Sequence, residues 1–126
     1  MRLDHVVLWA KDPRAAVDFY TRVVGLEPLR LSEYEAQAVP FPSVRVCADS
    51  IIDLMPLEAG KAGHPVDHVC LALSRAEYDA LEARLAAAGV DIVARRENNF
   101  GAQGSAPQAI YFKDPDGNVV EARYYE

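Results

Sequence analysis

An internal duplication limits the folds open to this chain more than any other feature of its sequence. The segment Leu3-Asp4-His5-Val6 near the start is repeated in similar form as Val66-Asp67-His68-Val69 past the middle. Self-similarity of this kind indicates two copies of one supersecondary unit. Each copy opens a strand-like run and carries a histidine inside it. We therefore expect two equivalent halves, each of which begins with a histidine-bearing strand.

A helix with recognisable ends follows each copy. Its start is marked by Asp12 before Pro13 in the first half, and by a capping box of Ser74 and Glu77 in the second. A glycine follows the last turn of each helix. The apolar stripes predicted to face the core are Ala16, Val17, Tyr20, Val23 and Val24, then Tyr78, Leu81, Leu85 and Ala88.

Three strand candidates follow each helix, which gives the order βαβββ twice. They span 27–31, 43–47 and 51–55 in the first half, and 91–95, 109–113 and 119–124 in the second. Asp114-Pro115-Asp116-Gly117 is a strong turn signal, so the last two strands should form a hairpin. We predict one α+β domain over residues 1–126, with modules at 1–57 and 64–126 joined by a linker rich in glycine and alanine.

Composition excludes several functional classes. With 126 residues, 51% hydrophobic and 25% charged, the chain should fold around a real core. A net charge of −6 argues against nucleic acid as a partner. No apolar stretch is long enough for a membrane span, and the N-terminal residues read as a strand, so we expect a cytoplasmic protein without a membrane partner. Cys47 and Cys70 lack a CxxC spacing and should be buried, reduced thiols.

Strand alternation selects the candidate metal residues. In the first half His5 and Asp53 fall on strand faces turned away from the helix, and in the second half His68 and Glu121 do so. Burial of such groups among β-branched residues is unfavourable unless each is paired or ligated. Two imidazoles with one or two carboxylates are a suitable ligand set for a divalent metal ion. A metal site at their meeting point is the prediction.

Four further residues are candidates for substrate contact. Arg45 and Tyr111 fall on the same faces as the metal residues, Arg123 stands beside Glu121, and Trp9 shares the face of His5. The polar, glycine-containing segment 98–104 is predicted to be a mobile lid, with an ordinary polar loop as the alternative.

Three stretches of the sequence resemble the vicinal oxygen chelate superfamily: LDHVVLWAKDPRAAVDFYTRVVGLEPLR, VDHVCLAL and AIYFKDPDGNVVEARYY. That superfamily includes glyoxalase I, fosfomycin-resistance proteins, extradiol dioxygenases and bleomycin-binding proteins. The resemblance implies two βαβββ modules that form curved, cupped mixed sheets around a central cavity. It places the metal ligands at His5, His68 and Glu121. It also implies a homodimer with sites between the chains.

Asp53 departs from the family pattern, because glyoxalase I-like members carry a glutamate ligand at that place. The shorter aspartate is a fourth ligand, a general base or neither. The leading functional prediction is a glyoxalase I-like lyase or isomerase, with Asp53 and Glu121 as catalytic residues, that acts on a small molecule with adjacent oxygen atoms. Its cofactor would be a divalent ion: Ni, Zn, Mn, Co or Fe(II).

Two alternatives stay open at this point. An extradiol-type dioxygenase would use the same two histidines and one carboxylate with Fe(II). A metal-free protein that binds an antibiotic or another aromatic compound would instead use aromatic stacking. The aromatic candidates for that second role are Trp9, Tyr34, Phe41, Phe100 and Tyr111.

Overall fold

The structure of the protein, a computed structural model, describes residues 1–58, 66–113 and 118–126. The chain divides into two compact units. Met1–His5 together with His68–Glu126 form what we call the C-terminal unit, and Val6–Asp67 form the N-terminal unit. Strand β1, Arg2–Ala10, therefore gives its first residues to the C-terminal unit and its remaining residues to the N-terminal unit. The module boundaries at 57 and 64 stay a prediction.

The N-terminal unit contains a short antiparallel sheet with the strand order β2-β3-β4. After β1 its elements are helix α1 (Pro13–Phe19), a π-helical segment (Tyr20–Val24), β2 (Glu27–Leu29), helix α2 (Leu31–Glu35), β3 (Ser43–Cys47) and β4 (Ser50–Pro56). The short helix α2 was not predicted. Strand β2 ends two residues earlier than expected, where Arg30 adopts a left-handed conformation with φ of 64° and begins α2.

Helix α1 begins as predicted. The Asp12 side chain accepts hydrogen bonds from the backbone N–H groups of Arg14 and Ala15, which satisfies donors that the first turn leaves open. Val17 is buried in a core with Val44 and Leu54. The stripe was wrong at its end, because Val23 and Val24 are exposed. The predicted stripe assumed the residue spacing of an α-helix, but the chain is π-helical from Tyr20 to Val24 and has a different spacing there.

The C-terminal unit holds a mixed sheet with the strand order β5-β8-β7-β6. Its elements are β5 (Val66–Ala72, with the residues from His68 onward in this unit), helix α3 (Arg75–Ala87), β6 (Ala94–Gly101), β7 (Gly104–Lys113) and β8 (Val119–Tyr124). Strands β5 and β8 run parallel, whereas β7 is antiparallel to both of its neighbours. Both halves thus show the predicted order of one strand, a helix and three strands, and the α+β class is confirmed.

Helix α3 covers one face of this sheet. The predicted capping box is present, since Ser74 and Glu77 each bond the backbone N–H of the other. Tyr78 and Leu85 are buried in a core whose sheet side is formed by Leu73, Ile110, Ala122 and Tyr124. Ala122 and Tyr124 alternate with Glu121 and Arg123 along β8, so Glu121 and Arg123 are on the face opposite α3, as alternation predicts for Glu121.

The predicted lid at 98–104 was wrong. Residues 98–101 lie in β6, β7 begins at Gly104, and Gly101 pairs with Gly104 across a tight turn. Apolar alternation did not reveal β6, because most of its side chains are polar and exposed. Backbone hydrogen bonds to β7 form this strand pair without an apolar pattern. Gly104 supports the turn with a φ of +99°.

Two further predictions concern the β7–β8 connection and the cysteines. The antiparallel register of Lys113 with Val119 confirms the pairing of the last two strands, while the 114–117 turn itself lies outside the described residues, as does most of the predicted linker.

Cys70 is buried, but Cys47 is exposed near the end of β3, which corrects the expectation of two buried thiols. Within the described ranges, no helix is long and apolar enough to cross a membrane.

Candidate metal centre

Glu121 lies in the middle of β8, between β5 and β7. Its partners in register are Cys70 on the parallel strand and Tyr111 on the antiparallel strand. Its neighbour Ala122 packs in the core beneath α3, so the Glu121 side chain points to the opposite face of the sheet. The side chain is only 1% exposed. A carboxylate this deeply buried requires compensation by cations or hydrogen-bond donors.

Three potential ligand atoms meet at this carboxylate. Oε1 of Glu121 lies 3.1 Å from Nε2 of His68 and 3.7 Å from Nε2 of His5. One ligand atom from each of these residues can be chosen so that all lie within 4.8 Å of one another. All three belong to the C-terminal unit, His5 through the first residues of β1. The structure therefore brings together the three residues predicted to hold a metal, although their role as ligands stays a prediction.

Buried protein groups contact the second ring nitrogen of His5 and the second carboxylate oxygen of Glu121. Nδ1 of His5 is 2.7 Å from Oδ2 of Asp4. Oε2 of Glu121 accepts a hydrogen bond of 2.8 Å from Nε of Arg123 and a second one from its Nη2. These contacts involve Nδ1 of His5 and Oε2 of Glu121. The other two atoms, Nε2 of His5 and Oε1 of Glu121, lie 3.7 Å from each other.

The pKa values of the two carboxyl groups are both lowered. Burial alone would raise the pKa of Glu121, but contacts with His68, Arg123 and His5 outweigh it and lower that pKa to about 2. Burial also opposes ionisation of Asp4, yet hydrogen bonds from His5, Tyr125 and the backbone N–H of Ala102 lower its pKa. Both groups are therefore anionic at neutral pH. Arg123 is a buried cation beside Glu121.

A divalent cation fits this arrangement on three grounds. Among the described residues, Oε1 of Glu121 is buried without a hydrogen bond of acceptable geometry, despite the imidazole nearby. Ligand atoms around an ion with bonds of about 2.1 Å stand roughly 3.0–3.4 Å apart; the 3.1 Å from Oε1 to His68 lies in that range, and the 3.7 Å to His5 is slightly longer. The ion would also place positive charge beside the ionised carboxylate of Glu121, which compensates its burial. Nitrogen and oxygen ligands of this kind suit Mn, Fe, Co, Ni or Zn.

A second group of ionisable side chains overlaps the first. Ligand atoms of Asp4, His5 and Cys70 also lie within 4.8 Å of one another. Burial, reinforced by the charge of Glu121, raises the pKa of the Cys70 thiol far above its ordinary value. In the metal-free protein the Cys70 thiol is therefore protonated. Asp4 already accepts hydrogen bonds from Ala102 and Tyr125 besides its contact with His5, so we regard the His5, His68 and Glu121 cluster as the better candidate.

Tyr111 borders the cluster from β7. It pairs with Glu121 across the strands, and its ring centroid is 5.7 Å from that of His68. Its hydroxyl oxygen accepts a hydrogen bond of 3.1 Å from Nδ2 of Asn99. Burial first, and then the charge of Glu121, raise the pKa of this hydroxyl. Tyr111 is thus a neutral phenol beside the candidate ligands, and its predicted substrate contact stays a prediction.

The remaining predicted site residues have contacts of their own. Asp53 is buried in the N-terminal unit and accepts a hydrogen bond of 2.5 Å from Oγ of Ser43, its partner on β3. Arg45 donates to the backbone carbonyls of Cys47 and Ala48. Trp9 is half-buried near the end of β1. Their roles as catalytic or substrate-binding residues stay predictions.

Sequence reasoning missed Asp4, Tyr125 and Asn99. Asp4 is fully buried and bonds His5 and the hydroxyl of Tyr125, and Asn99 accepts from Arg123 through its backbone carbonyl. A signal was present for Asp4, since an aspartate precedes the histidine in both copies of the repeat. Strand alternation hid it, because neighbouring residues of a strand are expected on opposite faces.

Comparison with known proteins agrees with this picture. Residues 2–122 match the sequence profile described as the Glyoxalase/Bleomycin resistance protein/Dioxygenase superfamily. The chain is 27% identical to the metallothiol transferase FosB of Shouchella clausii over 94% of this chain and 77% of that protein.

Two solved structures resemble the fold. The methylmalonyl-CoA epimerase of Mycobacterium tuberculosis superposes with a TM-score of 0.73 at 20% identity, covering 99% of this chain and 88% of that one. The Mn(II)-bound glyoxalase of Novosphingobium aromaticivorans superposes with a TM-score of 0.71 at 23% identity, covering 98% of this chain and 38% of that one. At these identities the likeness concerns the fold.

The fold is thus the glyoxalase-like α+β fold, as predicted, and it carries two histidines and a carboxylate in one cluster. The match over nearly the whole chain identifies the family. The protein belongs to the Glyoxalase/Bleomycin resistance protein/Dioxygenase superfamily.

Proposed function

We propose that the protein is a metal-dependent enzyme of glyoxalase I-like lyase or isomerase type, which acts on a small substrate with adjacent oxygen atoms. One observation carries the proposal: Nε2 of His5, Nε2 of His68 and Oε1 of Glu121 converge in one cluster, in which His5 and Glu121 are buried and His68 is partly exposed. Three protein ligands leave coordination positions for oxygen atoms of a substrate. A divalent ion held there would act as a Lewis acid on those oxygens.

A divalent ion at the cluster would favour an anionic ligand. Asp4 and Glu121 are ionised, and Arg123 is buried beside Glu121. The ion would add two positive charges to these groups. An anionic oxygen on the substrate would then be stabilised in a site of low dielectric constant. This balance suits reactions that develop negative charge on oxygen.

Glu121 is proposed as a ligand and as a source of negative charge, because a carboxyl group with a pKa of about 2 is a poor proton acceptor near neutral pH. The proton would have to move to another group. Asp53 keeps that role as a prediction from the sequence alone. Tyr111 stays a neutral hydroxyl and could donate a hydrogen bond to a substrate oxygen.

The relatives support metal dependence without fixing the reaction. Two of the similar proteins are named for metal, a metallothiol transferase and an Mn(II)-bound glyoxalase. A second candidate function, ring-cleaving dioxygenase chemistry, is favoured by the same observation, since two histidines and one carboxylate are a familiar ligand set for Fe(II) and oxygen. The convergence of three ligand atoms argues against the metal-free binding protein.

Metal binding is the first test. We expect purified protein to bind about one equivalent of Mn²⁺, Co²⁺, Ni²⁺ or Zn²⁺ per chain by calorimetry and elemental analysis. Glu121→Gln should lose this uptake while circular dichroism shows a folded protein. Glu82→Gln is the matched control, because Glu82 pairs with Arg95 on the surface of α3 and should bind metal normally. Undiminished metal content in Glu121→Gln would overturn the assignment.

Ligand chelation is the second test. Acetohydroxamate offers two adjacent oxygen atoms and should bind the metal-loaded protein, whereas acetamide, which offers one, should bind at least ten-fold more weakly. Both should fail to bind the metal-free protein. Equal binding with and without metal would favour a metal-free binding protein instead.

The reaction class is then decided by two assays on loaded protein. With Ni²⁺, Zn²⁺, Co²⁺ or Mn²⁺, we expect exchange of solvent deuterium into the C–H group beside the carbonyl of hydroxyacetone. With Fe²⁺ and catechol under air, oxygen uptake with ring cleavage would instead support the dioxygenase. The predicted homodimer with sites between chains stays a prediction, which sedimentation equilibrium of the loaded protein would test.

A further inference from the structure

A buried polar cluster lies behind the candidate ligands in the C-terminal unit. Asp4 is fully buried, and its carboxylate has three partners: Nδ1 of His5 at 2.7 Å, the backbone N–H of Ala102 at 3.1 Å and the hydroxyl of Tyr125 at 2.6 Å. A carboxylate held by three groups has little freedom to turn. Any group that it bonds in return is held in a fixed position.

Arg123 fills the adjoining space. Its Nε and Nη2 donate to Oε2 of Glu121, and its Nη1 donates to the backbone carbonyl of Asn99 at 3.1 Å. The side chain is only 1% exposed. Sequence reasoning gave Arg123 a substrate contact, but these donors are directed at protein groups. Its planar fork is suited to fixing a carboxylate in one orientation.

Gly101 lies where these groups meet. A Cβ atom at Gly101 would come closer than 3.0 Å to Nη1 of Arg123, to the hydroxyl of Tyr125 and to Oδ2 of Asp4. The close approach of three polar side chains to one glycine indicates that the cluster is tightly packed and that this position requires the absence of a side chain.

We propose that Asp4 and Arg123 are positioning residues that aim two ligands at one metal ion, Asp4 through His5 and Arg123 through Glu121. Asp4 keeps the proton of His5 on Nδ1, so Nε2 carries the lone pair that would bind the metal. Arg123 occupies Oε2 of Glu121, so Oε1 is the oxygen that would bind it. The inference rests on the proposed metal centre, and it assigns a purpose to charged groups that the reaction itself does not use.

The geometry makes a specific statement about the metal-free protein. An imidazole has one proton in its neutral form, and the group bonded to one nitrogen decides which nitrogen carries it. A buried carboxylate accepts but does not donate, so the 2.7 Å contact with Asp4 requires the proton on Nδ1 of His5. An amide at position 4 could donate through its NH₂ group and would permit the opposite tautomer.

The test measures tautomer and affinity separately. Long-range ¹H–¹⁵N NMR of the metal-free full chain should show His5 protonated on Nδ1 in the unmodified protein, with this preference lost in Asp4→Asn. Calorimetry with Mn²⁺ should show affinity weakened about 10- to 100-fold in Asp4→Asn and in Arg123→Lys, as expected for groups that support metal ligands. Asp91→Asn, the same change at an exposed aspartate, should alter neither measurement.

Tyr125→Phe provides a milder variant in case Asp4→Asn fails to fold. It removes one hydrogen bond to Asp4 and should weaken Mn²⁺ binding about two- to ten-fold with Nδ1 of His5 still protonated. A proton on Nε2 of His5 in the unmodified protein would overturn the proposal. So would folded variants whose Mn²⁺ affinity is unchanged. If the unmodified protein binds no metal, the proposed function fails, and the NMR result still decides whether Asp4 sets the tautomer.

Discussion

Asp4 and His5 are consecutive residues of one strand, yet Oδ2 of Asp4 lies 2.7 Å from Nδ1 of His5, and both side chains are buried. Neighbouring strand residues ordinarily point to opposite faces. Here the imidazole uses one nitrogen for its neighbour and directs the other to Glu121, 3.7 Å away. The pairing explains how a histidine can be placed in a strand interior and still be oriented for a metal ion.

Acid should unfold the metal-free protein through Glu121 and Asp4. The pKa of Glu121 is about 2 in the folded state and 4.5 in its ordinary environment, and that of Asp4 is also lowered from 3.8. A lowered pKa contributes stability that is complete above the unfolded value and is lost as pH falls through the folded one. We therefore expect the free energy of unfolding in urea to fall between about pH 4.5 and 2, by on the order of 3 kcal/mol from Glu121.

The acid prediction has a direct control. In Glu121→Gln this part of the pH dependence should disappear, whereas Glu82→Gln should keep it, because only the former removes the buried titrating group. A metal-free protein whose stability is the same at pH 6 and pH 3 would contradict the prediction.

The Gly101 and Gly104 positions should respond differently to the same substitution. Gly101→Ala forces a methyl group against Asp4, Arg123 and Tyr125, and we expect a loss of about 1–3 kcal/mol of stability together with weaker metal binding. Gly104→Ala meets no atom within 4 Å but strains a backbone with φ of +99°. It should also lose about 1–3 kcal/mol and keep its metal affinity. Thermal melting and calorimetry with Mn²⁺ would separate the two effects. Equal Mn²⁺ affinities in Gly101→Ala and Gly104→Ala would contradict this prediction.

The sequence was sufficient for much of the fold and for the three clustered residues, and the reasons are physical. Caps at Asp12 and Ser74 are local, and alternation along β8 correctly separated Glu121 from the face that packs on α3. The hairpin of β6 and β7 was not predicted, since its polar strand is formed by backbone pairing. Asp4 and Tyr125 were missed because their contact joins opposite ends of the chain, which strand periodicity does not describe.

Tyr111 should affect ligand binding more than metal binding. Its hydroxyl accepts from Asn99 and its ring borders His68, but Tyr111 is not one of the three candidate ligands. We expect Tyr111→Phe to keep Mn²⁺ affinity within two-fold and to bind acetohydroxamate about 10- to 100-fold more weakly, as for loss of a hydrogen bond to a charged oxygen. Tyr78→Phe is the matched control, since Tyr78 packs on the α3 side of the sheet. Unchanged acetohydroxamate affinity in Tyr111→Phe would remove Tyr111 from the site.

The two cysteines should differ sharply in reactivity. Burial first, and then the charge of Glu121, raise the pKa of Cys70, so it stays a neutral thiol, whereas Cys47 is exposed near the end of β3. Since the thiolate is the reactive form, a disulfide reagent such as dithionitrobenzoate should label one thiol per native chain and two per chain in denaturant. Cys47→Ser should abolish the native label. Cys70→Ala should leave Mn²⁺ affinity within a few-fold, because a protonated thiol does not compete with His5, His68 and Glu121 for the ion; loss of metal binding in a folded Cys70→Ala protein would instead make the sulfur a ligand.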